Sequence, residues 1–455
     1  MLVQCPPAPG PLEDYCVHFD ELFRTPAQRR GFREYLTGLL APRDRNKTLT
    51  CLAAAEPVVG AQHAAVQRLQ YFLSEAHWDD EAVNARRLQL LLTHRATAPH
   101  ARGALVIDDS GDRKDGNKTA HVGRQYLGRV GKTDNGIVTV TTVWADERLY
   151  YPLHARPYTP ASCFPEGGKD PGFKTKLQIA AELTDAAKAA GVVCRAVVAD
   201  CIYGQDSGLR GRLREAGWGF VVALKPSHGR WQYGKDAFTP RDAAQAVRWG
   251  GPDDPGGWTK VERTFRDGHT EIWWAADATL GFWGPDGDTR LVVATKDPET
   301  LPDKATWYLA SNLPRSGGPY DIPDAPHEPA DLAEIVRLYG IRNWIEQAYK
   351  QVKTELGWAD FQVRSEVAIR RHQTLVHCAF SFCWDTWFDE RSTNDSSDTR
   401  EPQPPAEPGE RGAITRPASH QTLLAQSFTQ SALVAEPMDY PAAPMECMVE
   451  PAAAH

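Results

Sequence analysis

Apolar residues in the first hundred positions recur at spacings of three and four, with charges between them. The stretches "RRGFREYLTGLL" and "AAVQRLQYFLSEAHWDDEAVNARRLQLLL" carry this period, which predicts amphipathic helices from about Phe19 to Arg95. The pattern then changes. "ALVIDDSG" reads as a short buried strand ending in acids, "RQYLGRVGKTDNGIVTVTTVWAD" as a hairpin around Asp134-Asn135-Gly136, and "RLYYPLHARPY" as a further strand. "FKTKLQIAAELTDAAKAAG" predicts an amphipathic helix closed by Gly191. It leads into "CRAVVAD", a buried strand with an acid at its C-terminal end, then a short helix near Ser207 to Ala216 and the strand "GFVVALK". Strands followed by alternating helix and strand predict a mixed α/β sheet.

From about Pro226 to Pro329 the helical period disappears. Trp231, Trp249, Trp258, Trp273, Trp274, Trp283 and Trp307 fall here, with turn signals at Asp267-Gly268 and Pro285-Asp286-Gly287, so a β-rich insertion is expected. Of the adjacent Trp273 and Trp274 only one should face outward, and core packing is the first reading of any single tryptophan. Helical patterning returns from about Leu332 to Gly357 and from Glu366 to Trp387. "STNDSSDTREPQPPAEPGERG" and the residues after it have too little apolar content to add to a core and predict disorder. The expected organisation is a flexible stretch 1–18, a helical domain 19–100, an α/β core 101–225, a β-rich insertion 226–330, core helices 331–388 and an acidic, Pro-rich tail 389–455.

Composition adjusts this picture in one respect. The net charge of −8 is unfavourable for a nucleic-acid partner, but Asp389 to His455 holds 11 acidic and 4 basic residues, which leaves −1 for the rest. Glu21 to Arg102 has 12 basic and 8 acidic residues, a local excess that permits nucleic-acid contact. Nine scattered cysteines without CxxC spacing argue against a zinc site or a disulfide framework. Neither a signal peptide nor an apolar run long enough to span a bilayer is present, so a cytoplasmic protein is expected, with no membrane partner.

The chemistry-bearing residues centre on "YGIRNWIEQAYKQVK". At 100° per residue, Tyr339, Arg342, Glu346, Lys350 and Lys353 fall within an arc of about 80° on a helix face. An arbitrary face of this kind is first read as solvated i,i+4 charge pairs. The spacing says more, because Tyr339, Arg342, Glu346 and Lys353 reproduce the YREK motif of transposases in insertion-sequence family 4 and its relatives. Upstream, "VIDDSG" resembles the first acidic motif of these enzymes and "VVADCIYG" the second. Singly each is weak, since a strand-end Asp is commonly a cap or turn residue. In order, with a β-rich insertion between the second acid and the third, they are specific. The resemblance runs from "QRLQYFLSEAHWDDEA" through "TLVHCAF" and is closest to insertion-sequence family 701, with further matches at "GRQYLGRVGK", "FKTKLQIAAEL", "WYLASNLP" and "RSEVAIRRHQTLV". Ser110 stands where Thr is common, and Cys201-Ile202 where small or acidic residues are usual.

The resemblance implies a DDE transposase: an RNase H-like mixed sheet flanked by helices and interrupted by the insertion, behind an N-terminal helical domain for which DNA binding and plain packing are equal alternatives. It implies catalytic, metal-ligating carboxylates at Asp109, Asp200 and Glu346, holding two Mg²⁺ ions, with Mn²⁺ as a substitute. Hard ions take oxygen ligands, which is why carboxylates rather than His or Cys are expected. Asp108 and Asp109 are neighbours on one strand and point to opposite faces, so both should not reach one ion. The resemblance selects the Asp directly before Ser or Thr, Asp109, and leaves Asp108 to the strand end. Tyr339, Arg342, Lys350 and Lys353, with Arg370 and Arg371 on the next helix, are the implied DNA contacts. For Arg370, Arg371 and the following His372 a plain surface role is an equal alternative. The implied partners are double-stranded DNA, as terminal inverted repeats and target, and a second copy of the chain when the ends are paired, so that the protein sits at the nucleoid when acting. Two rivals stay open: a transposase-derived DNA-binding regulator without catalysis, and a host DNA nuclease of the same fold.

Overall fold

The computed structural model describes residues 5–56, 60–128, 130–227, 239–265 and 268–395. They form two compact units, one of residues up to Ala98 together with the chain from Lys350, the other of Pro99–Tyr349. Trp231, Asp267 and the tail beyond Asp395 lie outside the described residues.

The first unit begins with helices α1 (Pro11–Val17), α2 (Pro26–Leu40), α3 (Leu49–Leu52), α4 (Ala64–Ser74) and α5 (Asp80–Thr93). A reciprocal capping box between Thr25 and Gln28 starts α2. Its Phe32, Tyr35, Leu36 and Leu39 recur at helical spacing and are all buried, which is why this period was readable. Phe23, Phe32, Phe72 and Trp78 pack around them, Phe72 and Trp78 stacked at 5.0 Å.

The second unit is a ten-stranded mixed sheet. Its strands are β1 (Ala104–Arg113), β2 (Gly123–Leu127), β3 (Lys132–Ala145), β4 (Tyr150–Tyr158), β5 (Ala196–Ala199), β6 (Phe220–Ala223), β7 (Thr259–Thr264), β8 (Thr270–Ala278), β9 (Arg290–Thr295) and β10 (Thr306–Ser311). The order is β2-β3-β1-β5-β6-β10-β9-β8-β7, with β4 also on β3; β1, β5 and β6 are parallel and the other pairs antiparallel. Between strands come α6 (Lys176–Ala189), α7 (Cys201–Gly204), α8 (Ser207–Glu215) and α9 (Pro240–Gln245), and after them α10 (Leu332–Ile341) and α11 (Asn343–Thr354). A second capping box, Thr175 with Gln178, starts α6, and Gly191 with φ +82° follows its end.

Three expectations change. The acids of β1 sit mid-strand, because the strand continues to Arg113. The hairpin turns before Lys132, not at Asp134-Asn135-Gly136, which lies inside β3. Gly136 is needed there for room, since a Cβ would press on the Asp112 carbonyl and the Leu127 side chain. The β-rich stretch adds its strands to the core sheet: β10 pairs with β6 and covers the edge that β6 would otherwise expose. Tryptophans there mostly pack: Trp258, Trp273 and Trp307 are buried, and Trp274 lies against Trp249 at 4.8 Å.

The first unit, rejoined at Lys350, also contains α12 (Glu366–Asp395), which runs eight residues past the expected end at Trp387. Here Arg371 is buried, donates to the carbonyls of Leu73 (3.1 Å) and Trp78 (2.6 Å), and lies on the Trp78 ring. Arg370 pairs with Asp80 and Glu81, and His372 bonds the Tyr35 hydroxyl. Arg371 is therefore part of the core of this unit. Arg371→Ala should cost about 3 kcal/mol of unfolding free energy, by leaving two buried carbonyls without donors; urea unfolding measures it, and a change under about 0.5 kcal/mol would contradict this role. Among the described residues no helix is long and apolar enough to cross a membrane.

Candidate active site

The site forms where parallel β1 and β5 lie side by side. Ile107 pairs with Ala199, so Asp108 and Asp200, one residue further along each strand, are neighbours. Asp200 caps α7: its Oδ1 accepts from the amides of Ile202 (2.9 Å) and Tyr203 (3.3 Å). The Tyr-Gly pair after this acid has a steric reason, because a Cβ at Gly204 would drive into the Ala223 carbonyl of β6.

Cross-strand register identifies the two faces of the sheet. Ala104, Ala145 and Tyr150 form one row, and Leu105, Trp144 and Tyr151 the next. Tyr150 stacks on Trp344 of α11 at 5.1 Å, while the Trp144 indole donates to the Val193 carbonyl, between α6 and β5. Alternation carries these faces along β1, so Asp108 stands on the α11 side and Asp109 on the α6 side. The contacts agree. Arg342 Nη2 donates to Asp108 Oδ2 at 2.9 Å, and Thr141, the partner of Asp108 across β3, bonds the Tyr349 hydroxyl at 2.5 Å. Asp109 Oδ2 instead accepts from the Tyr203 hydroxyl at 3.0 Å and pairs with Lys176 Nζ at 3.2 Å. The strand geometry thus puts Asp108, and not Asp109, on the side of the helix that carries Glu346.

Arg342 joins the acids. It lies between α10 and α11, where Arg342 N bonds Tyr339 O and Ile345 N bonds Arg342 O, both closing three-residue turns that interrupt the expected continuous helix. Its Nη1 lies 3.4 Å from Glu346 Oε1, and its Nε is buried without a hydrogen-bond partner. Glu346 is exposed, at 57%. Burial pushes the Asp108 carboxyl up to about 7, against the pull of Arg342 and with the repulsion of Asp200 and Asp109 adding to it. Burial raises Asp200 as well, again opposed by Arg342. Among the described residues no three His, Cys, Asp or Glu side chains converge closely enough to hold a metal ion.

The remaining residues of the motif divide. Tyr339 is buried, its ring edge-on to Trp307 at 4.9 Å, so it is a packing residue of the second unit. Lys350 and Lys353 belong to the first unit; Lys350 is exposed, but Lys353 is only 7% exposed. Lys176 and Thr141 were not among the expected site residues. Lys176 stands in "FKTKLQIAAEL", a matching stretch whose one basic helix residue facing a strand acid could have been singled out.

This constellation, half-buried acids on adjacent parallel strands and a third on a helix beyond a β-rich segment, fits what sequence comparison finds. A model of the DDE superfamily endonucleases matches residues 18–276, more than half of the chain, and the chain belongs to that family. It is similar to the probable transposase for insertion sequence element IS701 from Microchaete diplosiphon, 32% identical over 353 residues, which cover 77% of this chain and 81% of that protein. Within the family it is a DDE transposase of that type, an enzyme of DNA transposition. Its substrates are DNA, and enzymes of this class use divalent metal ions.

Proposed function

We propose that this transposase binds the terminal inverted repeats of its element as double-stranded DNA, hydrolyses a phosphodiester bond with Mg²⁺ and joins the freed 3′-OH ends to target DNA, acting as a homodimer on paired ends. The observation that carries the reading is the pair of half-buried carboxylates, Asp108 and Asp200, side by side under Arg342 and the helix of Glu346. Their donors are all oxygen and their charges repel, so the pair is short of positive charge and fits a hard divalent cation. Two bound Mg²⁺ ions, or Mn²⁺ in their place, would supply Lewis acidity at the scissile phosphate and lower the pKa of the attacking water.

Asp200, Glu346 and one acid of β1 would hold the ions. Family resemblance favours Asp109 as that acid; the shared face with Asp200 and Arg342 favours Asp108, which we adopt. Asp109 then acts as a positioning residue, fixing Lys176 and the Tyr203 hydroxyl beside the second acid. The Arg342 guanidinium, set beside the acids, supports a phosphate contact for this residue, and exposed Lys350 of α11 is a second candidate.

The test incubates the full chain with a duplex copied from the element's end, Mg²⁺ and a supercoiled target. End cleavage and joined products are expected. Cleavage without joining would favour a host nuclease, and binding without cleavage an idle DNA-binding regulator.

A further inference from the structure

Outside the acids, the second unit holds a guanidinium that the acidic site does not employ. Arg263 on β7 lies over three aromatic rings, at 4.8 Å from Phe265, 5.0 Å from Trp273 and 4.8 Å from Trp307. Its Nη2 also abuts α10, where a Cβ at Gly340 would come within 2.8 Å of it. Gly340 follows Tyr339, whose ring meets Trp307, and lies two residues before Arg342.

Among the described residues Arg263 has neither a hydrogen bond nor an ion pair. Glu271, the acid whose charge reaches it, is committed elsewhere: its Oε1 binds Lys296 Nζ at 2.6 Å and its Oε2 accepts from the Trp273 indole at 2.9 Å. Burial holds the Arg263 pKa down at about 10, so the group is still charged at neutral pH. A guanidinium has five N–H donors in a planar fork. Rings satisfy its faces and none of those edges. Arg263 is nevertheless only partly buried, which leaves its edge reachable from solvent. An arginine placed only to pack would cost its desolvation and return only ring contacts. One held rigidly, with its edge open, is preorganised for a planar anionic acceptor.

We propose that Arg263, clamped by Phe265, Trp273 and Trp307, is a phosphate-binding residue for the DNA strand that enters the site, a positioning residue from the β-rich segment in addition to Arg342. This rests on the reading of the protein as a DNA-binding transposase. The test reads the two separately. Phenylglyoxal modification of arginines in the wild-type full chain, mapped by mass spectrometry with and without a duplex copied from the element's end, should show Arg263 modified alone and protected by at least about fivefold with DNA. Equal modification while the duplex is demonstrably bound would overturn the inference and leave the proposed function standing; absence of any binding would overturn that function and this inference with it. Arg263→Gln gives the second readout. Its binding should weaken with a log-log salt slope shallower by about one, while Arg263→Lys keeps the slope and loses affinity. A structural clamp would instead lower the melting temperature of both variants and leave the slope unchanged, which counts against a phosphate contact.

Discussion

Asp108→Asn is expected to lower Mg²⁺-dependent cleavage of end DNA by about a thousandfold or more, roughly 4 kcal/mol in barrier, while Asp109→Asn retains measurable activity. The reason is geometric. Neighbouring residues of one strand cannot serve one ion, and only Asp108 shares its face with Asp200, Arg342 and the α11 helix. Asp109 points to α6 and is engaged by Lys176 and Tyr203. Losing its charge releases Lys176 and weakens the support of α7, so a decrease of about tenfold is expected from misplacement of Asp200, near 1.4 kcal/mol. Asn keeps the shape of each side chain, and near-normal repeat binding by both variants would show that folding is not the variable. A dead Asp109→Asn beside an active Asp108→Asn would restore the assignment that the resemblance alone implies. Two fully active variants would remove β1 from the chemistry.

The reasons why some of this was legible and some not are physical. Helical periods are set by burial of one face, so α2, α4 and α6 could be read from spacing. The buried strands β5 and β6 stood out as apolar runs between turn residues. Asp134-Asn135-Gly136 misled because turn-forming residues can equally serve a crowded strand, where Gly136 leaves room for a neighbouring chain. The extension of the sheet through β10, β9, β8 and β7 was not legible, because pairing partners are set by tertiary packing and β9 and β10 are buried on both faces, without alternation. The candidate acids came from resemblance to the family's motifs. Which of two adjacent acids faces the helix depends on register, and a shift of one residue reverses the answer. The burial of Lys353 and Arg371 was hidden for a related reason: helix position gives a face, but the cover over that face comes from elsewhere in the chain.

Arg342→Ala should lower the unfolding free energy by about 1–2 kcal/mol at neutral pH in the presence of chelator, because it removes a charged hydrogen-bond partner of Asp108 and leaves that carboxyl beside Asp200 without a cation. The sign of the pH dependence comes from the direction of the shift. The Asp108 carboxyl lies near 7 in the folded protein and at about 3.9 when unfolded. The folded state therefore binds more protons between these values, and stability falls as pH rises through that window. Losing Arg342 raises the folded value further and steepens the fall, so the deficit of the variant should shrink as pH is lowered from 7 toward 5. Divalent cation offers a second source of positive charge to the same carboxylates. Since a ligand that binds only the folded state stabilises it by mass action, Mg²⁺ should raise the melting temperature of Arg342→Ala by more than that of the wild type, whose Asp108 already has a cationic partner. Melting curves with and without Mg²⁺ at pH 7 and pH 5 make the comparison. An equal Mg²⁺ response in the two proteins would mean that Arg342 and the metal do not meet at the same carboxylates, and a deficit that grows on acidification would show that the charge left behind is not that of Asp108.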